Sequence, residues 1–187
     1  MNVIEYINSF VTLSLAVADE ILSKSQIEEL PKHYRLHKQG EVCQKLYFIE
    51  KGVVRWYYCN EDGKDITDSF GLENSFVTAF DSFFQRKPSR YSIEVLEVSI
   101  VSSMTYADLI EALEKFPELE RVSRLILVQI LEQTLDKNAA LQFNNARHRY
   151  RYIIEKHPDL LQRVSLGHIA SFLGITQETL SRIRAKK

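Results

Sequence analysis

The sequence is poor in the residues that build metal clusters and membrane spans. Among 187 residues there are only two cysteines, Cys43 and Cys59, and neither belongs to a Cys-x-x-Cys pair. Iron–sulfur and zinc frameworks are therefore not expected, and two isolated cysteines are typical of a reduced cytoplasm without structural disulfides. No stretch approaches the ~20 apolar residues that a membrane span requires, so no membrane partner is expected.

One segment imitates a targeting signal. Residues 8–18 carry no charge and end in Ala16-Val17-Ala18, which resembles a cleavage site. The segment lacks a basic region before it, and Asn8, Ser9, Thr12 and Ser14 dilute its hydrophobicity. We therefore do not expect a signal peptide, and we expect the protein in the cytoplasm.

Charge is nearly balanced overall but is unevenly distributed along the chain. The sequence has 24 Lys and Arg against 25 Asp and Glu, with 45% hydrophobic and 26% charged residues, as in an ordinary globular protein. Residues 1–141 have a net charge of −7, whereas residues 142–187 have +6. A polyanionic partner would therefore bind the last quarter of the chain.

The hydrophobic pattern changes twice along the chain. Residues 3–30 are predicted to form short amphipathic helices, because apolar residues up to Ile27 and Leu30 recur at helical spacing before Pro31. In residues 34–104, short runs of Val, Ile, Tyr and Phe alternate with turn residues, which is typical of an antiparallel barrel or sandwich. Residues 46–49 and 53–58 are predicted as a hairpin, and Asp62-Gly63 as a second tight turn.

A long helix is predicted over residues 118–141, after a short helix over 106–116. Residues 125–131 are apolar nearly all round, so the helix must be covered on two sides. The second apolar side packs either within a larger core of the same chain or against the same helix of another subunit. We favour the second alternative, a homodimer. The predicted dimer contacts are Val122, Ile126, Gln129, Ile130 and Gln133.

Residues 165–187 carry the most specific motif. Ser165 and Thr176 are predicted N-caps of two helices, and Gly174 supplies a turn with positive φ. A helix-turn-helix has Ala, then Gly four residues later and an apolar residue next, with further apolar residues six and nine positions after the Gly. All of these positions match: Ala170, Gly174, Ile175, Leu180 and Ile183. The alternative is a helical hairpin with a solvated charged face, but the full match and the positive charge favour DNA.

The exposed face of the second helix offers two kinds of contact to double-stranded DNA. The residues whose side chains suit hydrogen bonds to base edges in the major groove are Gln177, Glu178, Ser181 and Arg182. The residues placed for phosphates are Thr176, Arg184, Lys186 and Lys187.

This order of elements resembles the Crp/Fnr family of bacterial transcription regulators over nearly the whole chain. Residues 38–41, 46–49, 52–54 and 62–63 resemble its cyclic-nucleotide-binding signature, and residues 169–174 and 176–183 resemble its DNA-reading element. The Glu and Arg that read bases in cyclic-AMP-responsive members fall on Glu178 and Arg182, while Gln177 replaces an Arg.

The resemblance implies an α+β protein. Its expected parts are an antiparallel, cyclic-nucleotide-binding-like β-roll (jelly roll) with flanking helices over residues 1–116, a long dimerisation helix over 117–141 and a helix-turn-helix domain over 142–187. The sequence ends just after the second helix of the motif, so that domain is expected as a truncated winged helix. The function implied is a homodimer that binds a palindrome, with RNA polymerase as a further partner and half-sites ~34 Å apart.

The expected effector site departs from the family pattern. Cyclic-AMP-binding members have a Gly-Glu pair that holds the ribose, followed about ten residues on by an Arg that pairs with the cyclic phosphate. Thr78-Ala79 stand where Gly-Glu should be, and Ser89-Arg90 lie about one residue from the expected Arg. A buried phosphate without its charge partner is costly, so cyclic AMP is not expected to bind in the usual way. The effector is unknown, no cofactor is assigned, and residues 81–88 are a further candidate lining.

Two other functions compete with the regulator. A cupin-like metal enzyme would need clustered His ligands, but on a strand His33 and His37 would lie ~13 Å apart, and surface exposure is expected for both. No catalytic grouping is visible, so we do not expect an enzyme. An adaptor that senses a cyclic nucleotide or another ligand without binding specific DNA is the remaining alternative, and the basic helix-turn-helix argues against it.

Overall fold

The computed structural model describes residues 1–143 and 145–185. The strands are β1 (Gln26–Leu30), β2 (Arg35–His37), β3 (Lys45–Lys51), β4 (Val54–Cys59), β5 (Asp65–Gly71), β6 (Ser75–Val77), β7 (Ser92–Val95) and β8 (Ser99–Thr105). The helices are α1 (Val3–Asn8), α2 (Leu15–Lys24), α3 (Phe80–Phe83), α4 (Tyr106–Lys115), α5 (Pro117–Phe143), α6 (Ala146–Lys156), α7 (Leu160–Arg163), α8 (Leu166–Phe172) and α9 (Gln177–Ala185).

Two four-stranded sheets form the predicted antiparallel β-roll. One sheet has the order β1-β8-β3-β6 and the other β2-β7-β4-β5. Their apolar faces bury residues from both sheets, including Ile49, Val54, Ile93 and Val101, each of which is 0% exposed. Burial of such a side chain stabilises a fold by roughly 1.5–3 kcal/mol, so this core defines the roll.

The predicted hairpin between residues 46–49 and 53–58 is wrong. β3 pairs with β6 and β8, whereas β4 lies in the other sheet. The chain crosses between the sheets at Gly52, which has φ +121°, and a Cβ there would lie 1.9 Å from Ser99 Oγ. The sequence marked the turn correctly, but only the packing of the roll decides that the turn changes sheets.

The prediction for the residues of β1 is also wrong. Ile27 and Leu30 were predicted on a helix, yet they belong to β1, which pairs with β8 from Gln26↔Ser103 to Leu30↔Ser99. Only Leu30 is buried within β1, so the strand carries a weak periodic signal of its own. Pairing with β8 therefore decides its conformation.

The remaining elements follow the prediction closely. The Asp62-Gly63 turn joins β4 to β5, with Gly63 at φ +73°. Both cysteines are free thiols, Cys43 buried and Cys59 exposed. No helix among the described residues is long and apolar enough to cross a membrane.

The chain divides into two compact units. Unit 1 comprises Met1–Trp56 and Phe70–Val128, and contains most of the roll. Unit 2 comprises Tyr57–Ser69 and the chain from Gln129 onward, so the β4–β5 hairpin belongs with the C-terminal helices. The division falls within α5, a helix of 27 residues.

Candidate nucleic-acid interface and effector site

The helix-turn-helix is built from α8 and α9. The Ser165 side chain caps α8 by accepting a hydrogen bond from the His168 amide, and the Thr176 hydroxyl accepts one from the Thr179 amide at the start of α9. Gly174 has φ +64° in the turn, a conformation that costs little without a Cβ. The Ile175 amide donates to the Ala170 carbonyl at 3.0 Å and closes the turn.

The facing sides of these helices are buried as the motif requires. Ile169 and Leu180 are 0% exposed and Leu173 is 1% exposed. Ala170 is 2% exposed, in keeping with a close approach of the two helices, and Ile183 is half-buried. The inward set fixes which face of α9 is presented to solvent.

The opposite face of α9 is open to solvent. The exposed residues among those predicted to contact DNA are Thr176, Gln177, Glu178, Ser181, Arg182 and Arg184. Lys186 and Lys187 lie outside the described residues. Because the Glu178 carboxylate accepts hydrogen bonds from its own backbone amide and from the Thr176 hydroxyl, the pKa of Glu178 is below its ordinary value. Glu178 is therefore an ionised acceptor at neutral pH.

The β4–β5 hairpin contacts both α5 and α8 within unit 2. The Thr67 amide donates to Ser171 Oγ at 2.9 Å. Lys137 Nζ donates to Asp68 Oδ2 at 3.1 Å and to Ser69 Oγ at 3.0 Å. β5 is an edge strand, so polar groups that would otherwise remain unpaired along its edge are bonded to other elements.

The apolar face of α5 that is exposed to solvent differs from the predicted dimer surface. Val122 and Ile126 are 2% and 9% exposed, because they are buried within the chain. Gln129 and Ile130 are half-buried, and Gln133 is exposed. The apolar residues of α5 that face solvent are Leu127, Val128, Leu131 and Leu135, at 44–59% exposure. Val122 and Ile126 are therefore not accessible to a second subunit, and the exposed apolar stripe lies on another face of α5.

Thr78 and Ala79 do not open onto a ligand site. They are 0% and 1% exposed. The Thr78 hydroxyl donates to the Lys45 carbonyl at 3.0 Å, and the Thr78 carbonyl accepts from Trp56 Nε1 at 2.9 Å. Both residues are therefore committed to the interior of the roll.

Ser89 and Arg90 lie beside an acid that sequence reasoning placed only in a candidate lining segment. Asp81 Oδ1 accepts from Ser89 Oγ at 2.8 Å, and Asp81 Oδ2 accepts from the Arg90 amide at 2.9 Å. Arg90 Nε is 3.8 Å from the same carboxylate, although the Arg90 side chain is 81% exposed. The signal available in the sequence was an acid a few residues before a Ser-Arg pair, and only the fold of the loop brings them together.

The residues present do not fit a cyclic nucleotide bound in the usual way. The ribose acceptor is replaced by the buried Thr78-Ala79 pair, and the Ser89 and Arg90 donors already have a carboxylate partner. Within the candidate lining of residues 81–88, Phe83 is 0% exposed in the core, while Phe84 is 43% exposed.

The histidines give no metal centre in the described part of the chain. His33 is exposed as predicted, but His37 is 7% exposed, which corrects its expected position at the surface. No group of three or more His, Cys, Asp or Glu suited to a metal ion occurs among residues 1–143 and 145–185.

Comparison with known proteins supports the same fold along most of the chain. Residues 27–116 match the cyclic nucleotide-binding domain family. The chain is 23% identical to the fumarate and nitrate reduction regulatory protein of Yersinia pestis, over 88% of this chain and 69% of that protein. It is 25% identical to the cAMP-activated global transcriptional regulator CRP of Salmonella typhimurium, over 87% of this chain and 82% of that protein.

The chain is similar to the Crp/Fnr transcription regulators. Among solved Crp/Fnr-type structures, FixK2 from Bradyrhizobium japonicum has a TM-score of 0.74 at 20% identity, covering 87% of this chain and 83% of its own. The c-di-GMP-responsive regulator CLP of Xanthomonas campestris has a TM-score of 0.71 at 19% identity, covering 92% and 91%. The Crp/Fnr resemblance and the fold it implied are thus confirmed.

Proposed function

We propose that this Crp/Fnr relative is a sequence-specific DNA-binding transcription regulator that acts as a homodimer. The observation that carries the proposal is the exposed polar face of α9, set on a helix pair whose inward residues Ile169, Leu173 and Leu180 are at most 1% exposed. Arg182 suits a guanine edge and Glu178 a cytosine amino group in the major groove. Arg184 is placed for a phosphate, which positions the protein without specifying sequence.

Charge supports the same partner. Residues 142–187 carry a net +6, whereas the rest of the chain carries −7. DNA would therefore be attracted to the C-terminal helices and repelled by the remainder, which favours one orientation on the duplex.

The open stripe of α5 supports the homodimer. Leu127, Val128, Leu131 and Leu135 recur at helical spacing on a face that no part of the described chain covers. A second copy would supply the same apolar stripe to cover it, and such a two-fold contact matches a palindromic operator. The dimer contact proposed here therefore uses other residues of α5 than the predicted Val122, Ile126, Gln129, Ile130 and Gln133.

Selection of bound genomic fragments by the purified protein, without ligand and at moderate salt, tests the function. We expect a two-fold symmetric motif with half-sites about one helical turn apart. The Glu178→Ala and Arg182→Ala variants should lose enrichment of that motif while remaining dimeric. Weak, salt-sensitive binding with no motif in any fragment would instead favour an adaptor that does not read DNA sequence.

A further inference from the structure

The loop between α3 and β7 provides several hydrogen-bond donors to one carboxylate of α3. Asp81 accepts from the Ser89 hydroxyl and from the Arg90 amide, one bond to each of its oxygens. The Asp81 side chain is 18% exposed, and Ser89 is 3% exposed. We call Ser89 Oγ, the Arg90 amide and the Arg90 guanidinium the anion seat.

Two of the three donors of the anion seat, the Ser89 hydroxyl and the Arg90 amide, are fixed in direction. The Tyr91 amide donates to Ser89 Oγ at 2.9 Å. A hydroxyl has a single proton, and with one lone pair already used by Tyr91 the proton of Ser89 is directed to Asp81. A backbone amide such as that of Arg90 has no rotational freedom at all. The seat is therefore arranged for a negatively charged acceptor whether or not Asp81 supplies it.

From this geometry we infer that Asp81 is a built-in occupant of the anion seat, and that it closes the β-roll to phosphate-bearing ligands, cyclic nucleotides among them. An incoming phosphate would have to displace a carboxylate that is tethered beside its partners. If Asp81 stayed, two anions would share one site, which is unfavourable. Asp81 is thus a specificity-determining residue that acts by occupying the site.

The seat does not depend on Asp81 alone for its shape. Arg86 donates to the Cys43 and Phe83 carbonyls, and its guanidinium lies 4.3 Å from the centre of the Tyr106 ring. The Ser82 hydroxyl bonds to the Cys43 amide and to the Lys87 carbonyl. These contacts hold the start of the loop, and the Ser89 carbonyl and amide bond to the Gly40 amide and the Glu41 carbonyl at its far end. Removal of the carboxylate should therefore leave the donors in place.

The charge of the loop also favours an anion once Asp81 is removed. Arg86, Lys87 and Arg90 lie within five consecutive residues, and Asp81 is the acid that bonds to this loop. Replacement of Asp81 by alanine would leave a buried hydroxyl and an amide without their acceptor, beside a guanidinium. Inorganic phosphate supplies oxygens for all three groups.

The test measures anion binding by the full chain in the absence of DNA. The probes are inorganic phosphate and cyclic AMP, titrated by calorimetry and by thermal shift against chloride at equal ionic strength. The variants are Asp81→Ala, Asp81→Ala with Ser89→Ala, and Asp19→Ala as a matched control, since Asp19 is an exposed acid on α2. Asp81→Asn removes the charge but keeps one acceptor oxygen, and it serves as a second variant should the alanine protein fail to fold.

We expect Asp81→Ala to bind phosphate at least about tenfold more tightly than the wild type, the value of one charge-assisted hydrogen bond. The double variant should lose that gain, and Asp19→Ala should behave as the wild type. Asp81→Asn should also gain, to a smaller extent, because the repulsion is gone while the seat stays filled. The inference is overturned if the wild type binds phosphate or cyclic AMP as well as Asp81→Ala does, or if neither folded Asp81 variant gains affinity.

This inference rests on the proposed function only in treating the roll as the sensing part of a regulator. Because no DNA is present in the titrations, a protein that fails to read a palindrome can still pass this test. Conversely, a sequence-specific regulator can fail it.

Discussion

The backbone amide of Thr67 donates a hydrogen bond to the hydroxyl of Ser171 at 2.9 Å, which joins the edge of strand β5 to the first helix of the helix-turn-helix. Lys137 of α5 bonds to the adjacent Asp68 and Ser69. Within unit 2, β5 is bonded both to α5 and to α8, the helix that precedes the proposed DNA-contacting helix α9. A change in the hairpin therefore has a direct path to α8.

The Ser171→Ala variant tests this connection. Without the Ser171 hydroxyl, the Thr67 amide loses this hydrogen bond, in a residue that is 3% exposed, and one such bond contributes about 0.5–1.5 kcal/mol. We expect faster hydrogen exchange at the Thr67 amide and weaker DNA binding, because α8 must then be ordered on binding. Ser171→Thr, which keeps a hydroxyl, should restore both; unchanged exchange at Thr67 in the alanine variant would show that the contact carries no coupling.

Arg182 and Arg184 should differ in what their loss does to DNA binding. Arg182→Ala should cost about 1–3 kcal/mol on the operator and relax specificity at one base pair. Arg184→Ala should weaken operator and random DNA alike and reduce the slope of log affinity against log salt by about one. Affinity titrations over a range of salt with both DNAs measure this, and equal behaviour of the two variants would contradict the assigned roles.

The stability of Gly174 variants should depend on how readily the new residue adopts a positive φ. Its φ is +64° and a Cβ there would meet nothing within 4 Å, so the cost of a side chain is conformational rather than steric. Gly174→Ala should lower the free energy of unfolding by about 1–2 kcal/mol, and Gly174→Asn by less, because Asn adopts this region more readily. Denaturant unfolding gives the order, and an alanine variant as stable as the wild type would contradict it.

One charged substitution on each of the two candidate dimer faces of α5 distinguishes which face forms the dimer. Leu131 is 57% exposed and Gln133 is also exposed, so an acid at either position leaves the protomer core intact. The two positions lie about 200° apart around a helix. We expect Leu131→Asp to give monomers in analytical ultracentrifugation and Gln133→Asp to remain dimeric; the reverse result would restore the face that the sequence pattern predicted.

The sequence predicted the helix-turn-helix most accurately. Its signals are local: Ser165 and Thr176 cap the helices, Gly174 turns the chain, and Ile169 and Leu180 alternate with exposed residues over a few turns. Short-range signals of this kind need no knowledge of distant partners. The coarse succession of N-terminal helices, roll and long helix was predictable for the same reason, and so was the tight turn at Gly63.

The errors concern distant pairing. Ile27 and Leu30 fit a helical period, but β8 pairs with them as a strand. Val122 and Ile126 fit a dimer seam, but they are buried within the chain. In both cases the pattern correctly showed that an apolar residue needs a partner and could not tell which partner it has.

The sequence alone determined the helix-turn-helix pattern, because its residue types recur at fixed local spacing. The resemblance that the sequence carries indicated the class of protein, the helix proposed to read DNA and the replacement of the usual cyclic-nucleotide acceptors. The tertiary structure decided which sheet receives β4, which face of α5 stays open, and that Asp81 bonds with Ser89 and Arg90. These features depend on where the chain returns after many residues. Long-range packing, rather than local preference, sets that path.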